Sequence, residues 1–340
     1  MKARFLLPLM LLSLLLSACA SAPEPTAAPA EPQSSGLPAA QALPSLSVEE
    51  SQAMACFLNA NRALLAGGYL YCYDFNEVWT PVLARYRLRD GKLSAFRVLA
   101  EGCVPEYLCQ ADGYLYYIDR LGGNIERVPT GGGERELLRA GPCNGLSLRE
   151  GRLFFLDATG RFRAMNPDGS GETLLYETPC SFAYPLTDCI LYLSEEDGGL
   201  LHARWSESGA DQVYSHGAAY APLLWNDRLW YYDGEALQSV GLAGEGRKVY
   251  ALPAADGVPE LLPAADALRV RGIRDEKGPE QWEGPIQGTF SSLPRGYRIC
   301  DWLSDGIQVD TVYEPDGRIR CFLLTAEDGS TLSFLAGRTA

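Results

Sequence analysis

Cysteine is the residue type with most chemistry to offer in this 340-residue chain, which carries ten. Cys19 follows an apolar N-terminal run; the others stand at 56, 72, 103, 109, 143, 180, 189, 300 and 321. Nine is odd, so at least one thiol stays unpaired within a monomer. Cys103, Cys143 and Cys180 fall 12, 10 and 11 residues before a recurring leucine at 115, 153 and 191. That spacing makes them near-equivalent repeat positions, at the start of the innermost strand of consecutive units. They become candidate thiols at one mouth of a central channel. Such a trio could hold a metal or act in redox chemistry, but small apolar packing beside Pro or Gly explains it more simply. Local disulfides are the third reading, with Cys180 and Cys189 the best pair, because they flank a turn at Thr187-Asp188.

The other chemistry-bearing types are sparse. The two histidines, His202 and His216, have no His-x-x-x-His spacing, and no Gly-x-Ser-x-Gly elbow accompanies them. A catalytic zinc or a serine triad is therefore not expected, and each histidine reads as a surface or packing residue. Gly131 to Gly133 read as a loop between strands, not a phosphate cradle. Glu195, Glu196 and Asp197, and likewise Asp256, Glu260 and Asp266, lack the alternation of a calcium loop and read as solvated turns. A carboxylate pair converging only in space stays open. Trp79, Trp205, Trp225 and Trp282 could furnish a binding face, though strand packing is the simpler reading. No cofactor or metal is expected.

These residues sit on a repeat. Gly68-Tyr-Leu-Tyr-Cys-Tyr-Asp74, Gly113-Tyr-Leu-Tyr-Tyr-Ile-Asp119 and Gly151-Arg-Leu-Phe-Phe-Leu-Asp157 open three units, continued by Cys189-Ile-Leu-Tyr-Leu-Ser194 and Asp227-Arg-Leu-Trp-Tyr-Tyr-Asp233. The leucine falls at 70, 115, 153, 191 and 229, and the last three steps are 38 residues each. Extension reaches degenerate copies near Leu268 and Gly306. Aromatic and branched residues dominate the strands. Asp-Gly pairs at 90-91, 112-113, 168-169, 197-198, 233-234, 256-257, 305-306, 316-317 and 328-329 suit tight antiparallel turns. The third unit divides into strands at about 143-149, 152-157, 161-166 and 172-176. Four antiparallel strands per unit predict an all-β chain, a β-propeller over residues 50-340. Seven openings favour seven blades, with six the alternative.

The unit Gly151 to Asp157, followed by Met165-Asn-Pro-Asp-Gly-Ser-Gly-Glu-Thr-Leu-Leu175, resembles the Tyr-Trp-Thr-Asp blade of low-density-lipoprotein-receptor propellers. Bacterial lipoprotein propellers of unknown function share it. The resemblance covers 62 to 252 well and 253 to 340 weakly. It implies a fold and no particular ligand, since Trp occupies the strand centre only at Trp230.

The N-terminus sets the expected compartment. Lys2 and Arg4 precede an apolar stretch from Phe5 to Leu16, too short to span a bilayer, which needs about 20 residues. Leu16-Ser17-Ala18-Cys19 resembles the lipobox of bacterial lipoproteins. That implies a signal peptide over 1-18 and a diacylglycerol on Cys19. Residues 19-49 are rich in Pro and Ala and read as a flexible tether. Ser47 and Glu50 would close a capping box on a short helix, though that stretch could equally begin the first sheet. Removal of Lys2 and Arg4 leaves 27 basic against 43 acidic residues, a net charge of -16. That balance disfavours nucleic acid. The expectation is an extracytoplasmic, membrane-anchored module of the cell envelope that binds a protein, peptide or glycan. A hydrolase or lyase on an extracellular polymer is the second reading, and a structural subunit of an envelope complex the third.

Overall fold

The computed structural model describes residues 41–89, 92–274, 280–293, 297–304, 307–314, 319–326 and 330–335. The expected signal peptide, Cys19 and the tether up to residue 40 lie outside these, as do the Asp-Gly pairs at 90-91, 305-306, 316-317 and 328-329. Seven four-stranded antiparallel sheets follow one another along the chain. They form blades 1 to 7, spanning 63–101, 105–139, 144–176, 180–213, 220–251, 260–292 and 297–335. The fold is a seven-bladed β-propeller, and the two degenerate repeats are true blades. Each blade is complete in itself: its strands pair in chain order, the first lying innermost.

The repeat has a physical cause. The recurring Leu70, Leu115, Leu153, Leu191, Leu229 and Leu268 are all 0% exposed. Each sits on the second strand of its blade, where sheets press against their neighbours and every CH₂ is removed from water. The aspartate that ends the motif closes the next turn. Asp157 accepts backbone N–H groups from Thr159 and Arg161, and Asp233 from Glu235 and Ala236. At Asp112-Gly113 both residues have positive φ (49° and 80°), which a two-residue hairpin of primed type requires.

The stretch after the tether is a helix, not a strand. α1 (Val48–Leu58) begins with the full capping box: Ser47 accepts from the Glu50 N–H while Glu50 accepts from the Ser47 N–H. Its Met54, Ala55, Cys56 and Phe57 are buried, because α1 packs against the innermost strands of blades 3, 5, 6 and 7. The helix occupies the central channel.

Candidate functional site

The direction of α1 decides which channel mouth is open. Near its N-terminus Gln52 donates to the Pro263 carbonyl at 3.2 Å, and Glu50 lies 3.6 Å from Arg149. Both partners stand where inner strands finish. Near its C-terminus Phe57 packs on Tyr107 and Tyr184, with ring centroids 5.4 and 5.0 Å apart. Asn59 donates to the Cys300 carbonyl at 3.0 Å. Asn61 then bridges Leu108 and Ala63 carbonyls at 2.9 and 3.2 Å, and the chain enters blade 1. The helix thus runs antiparallel to the inner strands and floors the mouth where those strands begin.

One structurally equivalent residue from every blade stands at that mouth. In six blades it pairs with the residue three positions after the repeat leucine. The positions are Arg62 opposite Tyr73, Glu106 opposite Ile118, Asn144 opposite Leu156, Cys180 opposite Ser194, Tyr220 opposite Tyr232 and Glu260 opposite Arg271. Cys300 opposite Asp310 completes the ring. The inner strands of blades 2, 3, 4, 5 and 7 carry a bulge just beyond this position. Bulges of this kind re-aim side chains and are over-represented beside active sites.

Charge concentrates on the side made by blades 1, 2, 6 and 7. Arg62 donates to Glu106 at 2.5 Å and to the Tyr313 hydroxyl at 3.3 Å, and Arg120 approaches the same Glu106 oxygen at 3.5 Å. Asp301 accepts the Arg62 backbone N–H at 2.9 Å and the Thr311 hydroxyl. Arg271, 1% exposed, binds Glu283 at 2.8 Å, Glu260 at 3.2 Å and both oxygens of Asp310 at 3.0 and 3.3 Å. Glu260 also accepts the Cys300 N–H at 3.3 Å. Burial pushes Glu260 up to about 7 and Asp301 up to about 6, against the opposing pull of Arg271 on the first and Thr311 on the second.

An aromatic ladder leads outward from this cluster. Tyr73, Phe75 and Trp79 follow one another with centroids 5.3 and 5.8 Å apart. Trp79, in the turn after the second strand of blade 1, is 66% exposed; Val78 beside it and Leu121, in the matching turn of blade 2, are also exposed. The hydroxyl of Tyr107, on blade 2, donates to exposed Asn144 of blade 3 at 2.8 Å.

The cysteines occupy the expected end of the inner strands without gathering. Cys103, Cys143 and Cys180 each pack in a different core cluster, between different blades. Cys103 donates to the Ala100 carbonyl and Cys180 to the Thr178 carbonyl, while Arg139 donates to the Cys143 sulfur at 3.0 Å. Burial pushes Cys103 up to about 11 and Cys180 up to about 12. Among the described residues no three His, Cys, Asp or Glu converge to hold a metal. The suggested Cys180–Cys189 pairing needs correction. In the antiparallel hairpin Cys180 lies opposite Ser194, at the far end from Cys189, which adjoins the turn. Five residues of strand, roughly 16 Å, separate them, beyond disulfide reach. Both thiols are free.

Most of the other singled-out residues take the simpler of their expected settings, with Trp79 and Glu260 the exceptions. Trp205, Trp225 and Trp282 are buried packing residues, which leaves Trp79 as the exposed ring of the four. Glu195, Glu196, Asp256 and Asp266 are exposed turn residues, but Glu260 belongs to the mouth. His216 is exposed in a loop. His202 is held between Asp197 at 2.6 Å and Asp211 at 3.1 Å and stacks on Tyr192, whose hydroxyl donates to Asp211 at 2.5 Å. Sequence reading passed over Arg62, Glu106 and Arg271. The repeat frame held the signal: Arg62 and Glu260 stand eight residues before their leucines in unbulged strands, and Glu106 and Asn144 stand nine before theirs in bulged ones.

Comparison of the sequence with protein-family models and with curated proteins returns no match. Solved structures share the fold. A puromycin-hydrolyzing peptidase of Mycobacterium tuberculosis is similar at 15% identity over 89% of this chain and 57% of that one, TM-score 0.59. This chain thus spans little more than half of that peptidase. An oligogalacturonate lyase in complex with manganese is similar at 10% identity over 82% of this chain and 87% of that one, TM-score 0.54. The AfRom2 CNH domain is similar at 9% identity, 76% and 92% coverage, TM-score 0.52. These likenesses establish the propeller scaffold.

Proposed function

We propose that this chain is a membrane-tethered binding module, held by lipid on Cys19, whose open channel mouth takes a peptide segment of a partner protein. The observation that carries this reading is the cluster of charged groups around the mouth where the inner strands begin, at the C-terminal end of α1. That mouth offers paired donors and acceptors at Arg62, Glu106 and Glu260. On the same face, the turn after the second strand exposes Val78 and Trp79 in blade 1 and Leu121 in blade 2. Exposed apolar residues beside a polar rim suit side-chain recognition, and Trp and Arg are the residues that most often dominate it. Aliphatic Val78 and Leu121 favour a peptide over a glycan. The chain's net charge of -14 steers toward a basic partner. The test is selection of a random peptide display library on the purified propeller. Enriched peptides should carry basic and apolar residues and lose binding to Trp79→Ala and Glu106→Gln. Peptides that bind both variants as well as the parent would overturn the reading.

One observation favours a second reading, cleavage of an extracellular polymer. Glu260, held up to about 7 at the mouth, has the proton affinity of a neutral-pH acid–base group. Incubation with oligogalacturonate, the substrate named for one structural neighbour, would release new chain ends in the parent and not in Glu260→Gln. No release removes that assignment.

A further inference from the structure

A cleft of about 430 Å³ lies between blades 3 and 4, on the face where the inner strands finish and away from the charged mouth. Its rim is made of turns: Glu150 in the first hairpin of blade 3, Thr187 in the first hairpin of blade 4, and Ser206 in the last turn of blade 4. Its apolar lining comes from both blades, chiefly Phe154, Leu175 and Ile190. Phe154 and Ile190 pack against one shared core cluster between the two sheets, and Leu175 is exposed on the outer strand of blade 3. Two cations, Arg149 and Arg204, complete the lining, in which Glu150 is the one acidic side chain among the described residues.

Both arginines keep most of their donors free of protein. Arg149 donates to the Pro185 carbonyl at 3.0 Å and stands 3.6 Å from Glu50, beyond hydrogen-bond reach. Arg204 pairs with Ile190 across strands two and three of blade 4, so the two side chains share the face turned to blade 3. Its guanidinium lies over the Tyr176 ring, 5.2 Å from the centroid, and 3.9 Å from Asp211. Asp211 is already held by the Tyr192 hydroxyl at 2.5 Å and by His202 at 3.1 Å. Among the described residues the Arg204 side chain donates no hydrogen bond. A guanidinium carries five N–H donors in a planar fork, and its bonds to a carboxylate are stronger than its bonds to neutral acceptors.

We propose that this cleft binds a small monocarboxylate with an apolar body, its carboxylate on Arg149 and Arg204 and its body against Phe154, Leu175 and Ile190. The volume falls within the range of ligand sites, roughly 300–1,000 Å³, which combine apolar walls with a few orienting polar groups. The fork of a guanidinium matches the two oxygens of a carboxylate. Glu50, Glu150 and Asp211 stand near the two arginines. They repel a phosphate dianion more strongly than a single charge, and the arginines repel a cation. This site is separate from the mouth, and the proposal does not depend on the peptide reading given to that mouth.

The probe is octanoate, titrated calorimetrically into the purified parent chain at low ionic strength. Octylamine, with the same chain length and the opposite charge, is the control. One octanoate should bind per chain, and octylamine should not compete for the cleft. Arg204→Gln should weaken octanoate binding about tenfold, the value of one hydrogen bond to a charged group. Leu175→Asp, at an exposed edge-strand position, should abolish it with circular dichroism unchanged. Neither substitution touches the mouth, so peptide binding there should match the parent. Absence of octanoate binding by the parent overturns the proposal. Equal octanoate binding by Arg204→Gln or by Leu175→Asp overturns it too, as does octylamine binding as tight as that of octanoate.

Discussion

Arg62 of blade 1 reaches Glu106 of blade 2 at 2.5 Å, from equivalent positions in consecutive blades. Both side chains are mostly buried, so each is the other's main compensation for lost hydration. Arg62→Ala should destabilise the chain by about 2 kcal/mol, since it leaves Glu106 in a partly buried site. A double-mutant cycle with Glu106→Ala, followed by urea denaturation, should return a coupling energy of about 1 kcal/mol or more. Additive effects would mean that the pair is an incidental surface contact.

The helix in the channel should behave as core. Met54 is fully buried, and Met54→Ala should cost about 3 kcal/mol through the cavity left behind. Ser47→Ala removes one half of the capping box and should cost about 1 kcal/mol. Denaturation midpoints test both. Parent-like stability for Met54→Ala would place α1 outside the folded unit.

His202 gives blade 4 a pH dependence whose sign follows from its partners. Burial alone would lower His202, but the hydrogen bonds its ring N–H groups donate to Asp211 and Asp197 outweigh it and raise His202 above its ordinary value. The stabilisation is therefore fully present below about pH 6.5 and is lost as pH rises through the raised folded value. Asp211 is lowered, by His202 and Tyr192 against burial, so its contribution is present above about pH 3.9 and is lost on acidification. Melting temperature should fall between pH 6 and 8, and His202→Gln should flatten that fall. An unchanged slope would separate His202 from the effect.

Glu260 titrates in the opposite sense from an ordinary ion-paired carboxylate. Burial raises it to about 7, so between its unfolded value of about 4.3 and 7 the folded state holds a proton that the unfolded state has lost. Stability should decline with rising pH across that window. Carbon-detected titration of the Glu260 carboxyl should show a midpoint near neutrality. A midpoint near 4 would place the group in free contact with water.

The scaffold was legible in the sequence and the mouth was not, for one physical reason. Burial of Leu70, Leu115, Leu153, Leu191, Leu229 and Leu268 recurs in six of the seven blades at a nearly constant step, so the seventh, where Ile307 takes the place, could be reached by extending the count. The mouth position changes identity from blade to blade, as Arg62, Glu106, Asn144, Cys180, Tyr220, Glu260 and Cys300. A strand bulge also shifts its spacing by one. Glu260 looked like a turn acid because its partners, Arg271 and the Cys300 N–H, come from another strand and another blade. Cys180 and Cys189 looked like partners because sequence spacing hides the direction of a hairpin. His202 found its two aspartates five and nine residues away, on a turn and a neighbouring strand, which no short motif encodes.

The binding claim is tested most directly by hydrogen exchange of the propeller with and without a selected peptide. Protection should appear at residues 75–80, 104–108 and 119–124, the turns and inner-strand start that frame the mouth around blades 1 and 2. Protection confined to 186–189 and 205–211, on the opposite face, would contradict the account.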